Sequence, residues 1–197
     1  MIRLIKTKKA LIQNGFICEI FENEKDLLKY LDYYLKEGST AAIGGSVTIE
    51  ELGIYEKLKE KNIKTFWHWK DKFEGNEEIN AHADIYLSSA NAITEDGALY
   101  FVDQLGNRIS SICFGHDKVF IIAGRNKIVK SLDEARERVK NISVPLNTFR
   151  HNASVEVGDN DYETTSVYST ANMELFFKKN PENRDIYVFL VDADLGY

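Results

Sequence analysis

The spacing of apolar positions changes several times along the chain, and each change marks an element. In residues 4–13 they recur at helical spacing, and Asn14-Gly15 supplies a left-handed stop, so a short amphipathic helix is expected. Residues 16–21 switch to strand-like alternation. Over residues 24–37, Leu27, Leu28, Leu31, Tyr34 and Leu35 form one helical stripe that Gly38 ends. Residues 40–43 form a short apolar run into Gly44-Gly45-Ser46. The capping-box pattern Thr48-Ile49-Glu50-Glu51 then predicts a helix over residues 49–61. Residues 63–67 and 84–88 are expected strands, with a helical stretch at 79–82 between them. The second strand is apolar enough for a sheet covered on both faces.

Residues 90–94 and 98–102 flank the turn Glu95-Asp96-Gly97, a hairpin signature. A helix over 105–114, opened at Gly106-Asn107, precedes an apolar strand over 118–123 that stops at Gly124. Ser131-Leu132-Asp133-Glu134 is a second capping box, and its helix is expected to end before Pro145. The polar stretch 151–170 has no clear period, and residues 151–180 are expected to be irregular. Residues 185–191 form a last strand. Alternating helices and short apolar strands predict an α/β fold: a mostly parallel sheet with helices on both faces. Residues 1–197 are expected to make one domain, with 1–38 as a helix-and-strand lead-in.

Composition narrows the function. In 197 residues, 44% are hydrophobic and 28% charged, which suits a packed domain. A formal net charge of −6 argues against a nucleic-acid backbone as partner, and no apolar run reaches membrane-spanning length. Nothing at the N-terminus resembles a signal peptide, so a cytoplasmic protein is expected. The two cysteines, Cys18 and Cys113, sit in apolar runs and are expected in the core. No Cys/His spacing calls for a metal and no pattern calls for a cofactor. Neither a monomer nor a homo-oligomer is favoured.

Two glycine-marked loops carry the candidate chemistry. Gly44-Gly45-Ser46-Val47-Thr48 joins a strand end to a helix start, where backbone N–H groups and the Ser46 and Thr48 hydroxyls could meet an anion. A tight turn with an N-cap explains the same residues. Asn91, Glu95, Asp96 and Gly97 bring an amide and two carboxylates to a sheet end; Glu95 is the candidate nucleophile or base, and a plain hairpin turn is the alternative. Past the strand end at Gly124, Asn126 and Lys127 are placed like anion-binding residues, or like a solvated basic turn. His68, between Trp67 and Trp69, is a weaker candidate.

Residues 45–53 (Gly45-Ser46-Val47-Thr48 onward), 89–97 (Ser89-Ala90-Asn91 to Gly97), Gly106-Asn107-Arg108-Ile109 and 119–129 resemble, in order and spacing, the LUD family of lactate-utilisation proteins. Pro145-Leu146-Asn147 and Asp194-Leu195-Gly196-Tyr197 extend the resemblance. It implies a fold similar to the ribose-phosphate isomerase and coenzyme A transferase superfamily. It also implies a part in lactate oxidation to pyruvate, within a system that includes an iron–sulfur subunit. Many relatives carry a cysteine cluster in the region matching residues 152–173; this chain has none there, which removes support for metal or redox chemistry in that segment. The expected site is thus an anion-binding cleft for a small phosphorylated or acyl metabolite. Gly44, Gly45, Ser46, Thr48, Gly124, Asn126 and Lys127 would form one side, and Asn91, Glu95, Asp96, Gly97, Gly106 and Asn107 the other. The competing expectation is a non-catalytic partner subunit of an iron–sulfur complex, or a metabolite sensor.

Overall fold

The computed structural model describes residues 1–156, 171–181 and 184–197. The chain runs through α1 (Ile2–Gln13), β1 (Ile17–Phe21), α2 (Glu24–Leu31), β2 (Thr40–Ile43), α3 (Val47–Glu51), α4 (Ile54–Glu60) and β3 (Lys64–Trp67). It continues with α5 (Glu77–His82), β4 (Ile85–Ser88), the strand pair β5 (Ala92–Thr94) and β6 (Leu99–Asp103), α6 (Asn107–Cys113) and β7 (Lys118–Gly124). A 3-10 turn (Arg125–Lys127) leads into β8 (Ile128–Val129), α7 (Leu132–Arg138), a π-helical stretch (Val139–Ser143), α8 (Val144–Glu156), β9 (Met173–Phe177) and β10 (Asp185–Val191).

Six strands form an all-parallel sheet in the order β1-β10-β7-β4-β2-β3. Successive side chains of a strand point to opposite faces, so each strand feeds two cores. Ile43, Leu87, Phe120, Ile122, Phe189 and Val191 pack on one face against Leu27 and Leu31 of α2, Ile49 of α3, and Ile54 and Leu58 of α4. Ala42, Tyr86, Val119, Ile121, Val188 and Leu190 pack on the other against Leu4 and Leu11 of α1 and Ile112 of α6. This double burial explains the near-continuous apolar strands.

A second sheet, β8-β5-β6-β9, joins the α1 side of the molecule through Ile93, Leu99, Phe101 and Ile128. Its other face is covered by Ala135 of α7 and Val139. The sequence pattern missed two of its strands. β8 has only two residues, and β9 lies in the segment expected to be irregular, where pairing with β6 imposes strand geometry.

Four further expectations change. The helix over 49–61 is two helices, because Gly53 takes φ +60° between α3 and α4. Ser46, not Thr48, caps α3, accepting a bond from the Ile49 amide at 3.3 Å. Pro145 follows directly on the π-helical stretch in an unbroken helical run over residues 132–156, and the changed bonding register there accommodates its missing N–H, so helix continues through residues 151–156. Cys18 is buried as expected, but Cys113 at the end of α6 is exposed. The rest of the expected polar loop, residues 157–170, lies outside the described residues. Among the described residues no helix is long and apolar enough to cross a membrane.

Candidate functional site

The sheet has a topological switch between β2 and β4. After β2 the chain leaves through α3 and α4 on one face, toward the β3 edge; after β4 it leaves through β5, β6 and α6 on the other, toward β7. Neighbouring strands whose connections diverge leave a crevice beyond their carboxyl ends, the common ligand position in such sheets. Here the crevice lies between the loop Gly44-Gly45-Ser46 after β2 and the loop Ser89-Ala90-Asn91 after β4.

Lys127, in the turn after β7, forms its floor and is only 3% exposed. Its Nζ donates to the Thr48 hydroxyl at 2.9 Å and to the Ser89 hydroxyl at 2.9 Å, one from each wall. Burial first, then the nearby guanidiniums of Arg138 and Arg108, lower the ammonium to about 7, with Glu51 pulling weakly the other way. Arg138, at the end of α7, is 8% exposed. Its Nη1 donates to the Asn91 carbonyl (2.8 Å) and the Ser143 hydroxyl (3.1 Å), and its Nε to the Asn126 carbonyl (3.1 Å). Among the described residues neither cation has a carboxylate partner, and Nη2 of Arg138 makes no bond. Buried cations are ordinarily paired, so two unpaired ones side by side are a departure that a bound anion would correct.

Arg108, in the first turn of α6, is by contrast fully engaged. Its Nε binds Asp103 Oδ1 at 2.7 Å, and its Nη2 binds Asn91 Oδ1 at 3.1 Å and the Val102 carbonyl. Asp103 also accepts the Ile109 amide at 2.9 Å. Asn91 is therefore the hub: its side chain holds Arg108 and its carbonyl holds Arg138. His68 lies near Asp103, yet burial dominates and holds its imidazole below the usual range, favouring the neutral ring.

The glycines are needed for packing at this site. A Cβ on Gly44 would strike the Tyr86 hydroxyl and Arg108, and one on Gly45 would strike the Trp69 ring. Trp69 stacks on Trp67 and carries the Arg150 guanidinium 4.0 Å above its ring. Arg150 in turn donates to the Tyr197 hydroxyl (3.2 Å) and Asn147 (3.1 Å), so α8 and residues 192–197 complete that wall. Gly124 lets residues 193–195 pass over the β7 end. There the Asn126 amide donates to the Gly196 carbonyl at 2.9 Å and accepts the Leu195 amide at 3.2 Å. Gly196 lies directly over Thr48 and Lys127.

The candidates thus divide. Gly44, Gly45, Ser46, Thr48, Asn91, Gly124, Asn126 and Lys127 converge on the crevice. Glu95, Asp96 and Gly97 lie at the β5–β6 turn against α1: Glu95 is gripped by Arg3 (2.7 Å) and Lys6 (2.6 Å), which hold its carboxyl below the usual range. Asp96 accepts from the Thr94 hydroxyl, and the Asp96 and Gly97 carbonyls accept from the Asn14 amide. Gly97, at φ +83°, abuts the Ala10 backbone. Gly106, at φ +79°, opens α6 against Met173, with Asn107 as its first helical residue. Sequence reasoning missed Arg138 altogether and met Arg108 only within the family motif. Nothing in a charged helix pattern separates an arginine that turns inward from one that stays in water.

A comparison of the whole chain supports the residue-level likeness. The model of the LUD domain matches residues 4–191. No curated protein matches. Among solved structures, the chain is similar to a DUF162 family protein from Deinococcus radiodurans, at 12% identity and a TM-score of 0.55, covering 96% of each chain. A weaker likeness, at 10% identity and a TM-score of 0.41, links 56% of this chain to 44% of eIF2B beta from Chaetomium thermophilum. With its family model matched over nearly its full length, the chain belongs to the LUD domain family and is in general terms a lactate-utilisation-type protein.

Proposed function

We propose that the crevice between β2 and β4 binds a small anionic metabolite, and that the protein serves lactate oxidation to pyruvate through it. One observation carries the reading: Lys127 and Arg138 are buried together and, among the described residues, bond to hydroxyls and carbonyls and to no carboxylate. An anion would take the donors left over, and in a dehydrated site such bonds are strong. Family membership supports the metabolic setting, and the anion's class, carboxylate or phosphate, follows from the donors. Glu95 has no part in this reading, because both its oxygens are engaged by cations of α1.

The test is a thermal-shift screen with lactate, pyruvate, coenzyme A esters and sugar phosphates. A ligand at a hundred times its Kd adds about 2.7 kcal/mol of stability. At least one class should raise Tm, and Lys127→Ala should abolish the rise. An equal rise in Lys127→Ala would remove Lys127 from the site.

A further inference from the structure

The amine of Lys127 has surroundings that a purely electrostatic anchor does not need. A lysine that only attracts anions works best when hydrated or paired and firmly charged. This one is sealed under Gly196, hydrogen-bonded to two neutral hydroxyls, and placed beside two guanidiniums. Those are the conditions that keep an amine partly unprotonated, and therefore nucleophilic, at neutral pH. The partners suit either state: Thr48 and Ser89 accept from an ammonium, and one of them can instead donate to the lone pair of a free amine. The groups that face the amine from the surrounding elements are Arg138 of α7, Arg108 of α6 and Glu51 of α3, whose carboxylate is engaged by the Gly196 amide at 2.7 Å.

We infer that Lys127 captures a carbonyl substrate covalently, forming an imine with a 2-oxo carboxylate whose carboxylate group is held by Arg138. This rests on the reading of the crevice as an anion site and adds the chemistry done there. The Nζ lone pair attacks the carbonyl carbon, and the C–N bond forms as the C=O π bond becomes a hydroxyl. The nitrogen gives up two protons in all. The first makes the former carbonyl oxygen a hydroxyl and the second makes it water, which leaves as the C–O bond breaks and the nitrogen lone pair forms the C=N bond, so no electrons are gained or lost. Ser89 and Thr48, both bonded to Nζ, are placed to pass those protons. A 2-oxo acid fits because its two functions match the two cations: a carbonyl for the amine and, on the adjacent carbon, a carboxylate for the Nη2 donors that Arg138 has left over. Access to Nζ requires residues 195–196 to lift, since they cover it.

The full chain is incubated with pyruvate, 2-oxobutyrate or 2-oxoglutarate, then reduced with borohydride, digested and mapped by mass. At pH 7 a lysine of this kind holds on the order of a thousandfold more free amine than a surface lysine. The reduced adduct should therefore concentrate at Lys127 by at least about tenfold over every other lysine, with formation falling below pH 7. Lys127→Arg, which keeps charge but not the nucleophile, should lose the adduct, provided its circular dichroism matches wild type. A thermal shift in wild type with no adduct at Lys127 would overturn the imine and leave the anion site standing. Adduct spread evenly over surface lysines, or unchanged in Lys127→Arg, would also overturn it. Neither shift nor adduct with any 2-oxo acid would overturn the imine, and a shift with phosphates alone would do so while keeping the anion reading.

Discussion

Two glycine-marked loops of this chain look alike as sequence and differ in one physical respect. At the β5–β6 turn, Glu95 meets two cations of α1, and this pairing fastens the helix to the second sheet. At the β2 end, the charges below the loop are two buried cations to which, among the described residues, no carboxylate is bonded. A paired cluster is complete in itself. An unpaired one under burial is held against its own electrostatics by the rest of the fold, and such places are where function resides. The residue types do not separate a fastening from a site; the pairing does.

The contrast can be broken or sharpened in four ways. The largest effect is expected at Lys127. Its folded value, about 7 against an ordinary 10.5, means that the unfolded chain binds more protons between those limits, so stability rises with pH across that window. Below pH 7 the buried charge costs the fold on the order of 5 kcal/mol. Lys127→Met should accordingly be more stable than wild type at pH 6, and the gap should close toward pH 10. Parallel stability–pH curves from urea unfolding would refute the claim of a strained cation. Next is Gly97→Ala, where the left-handed backbone and the contact with Ala10 together cost at least about 2 kcal/mol. That loss should appear in Tm while ligand affinity stays constant. Arg138→Lys keeps charge but loses the fork, and should weaken anion affinity about tenfold, roughly 1.4 kcal/mol, by titration calorimetry. The smallest effect belongs to Glu95→Gln: a slightly lower Tm and no change in affinity. Its depressed carboxyl contributes stability above the ordinary carboxylate range and loses it as pH falls, so wild type and variant should converge in acid. A large loss of ligand binding in Glu95→Gln would collapse the distinction between the two loops.

Much of the architecture was legible in the spacing of apolar residues. β2, β4, β7 and β10 stood out because strands buried on both faces must be apolar throughout, β1 stood out by its alternation, and the Ser131 capping box correctly opened α7. Short or tertiary-dependent elements did not. β8 is too brief to carry a period, and β9 is a strand because β6 lies beside it. Pro145 signals a helix end in the sequence, but the π-helical stretch just before it lets the helix run on. Of the site, the loop glycines and Lys127 were legible as punctuation after strands. Arg138 was not, because among Asp133, Glu134, Arg136 and Glu137 an inward side chain has no local mark.

The position of β10 carries a consequence in time. It follows every other described strand in the sequence, yet it lies inside the large sheet, between β1 and β7, and among the described residues β1 pairs with no other strand. During synthesis β1 must therefore wait until residues 185–191 have been made before it can dock, and such long-range pairing is intrinsically slow. Residues 192–197 follow at once and close over Lys127. Assembly of the core and sealing of the amine are thus one late event, and a chain arrested before it would present both an open sheet and a bare lysine to quality control.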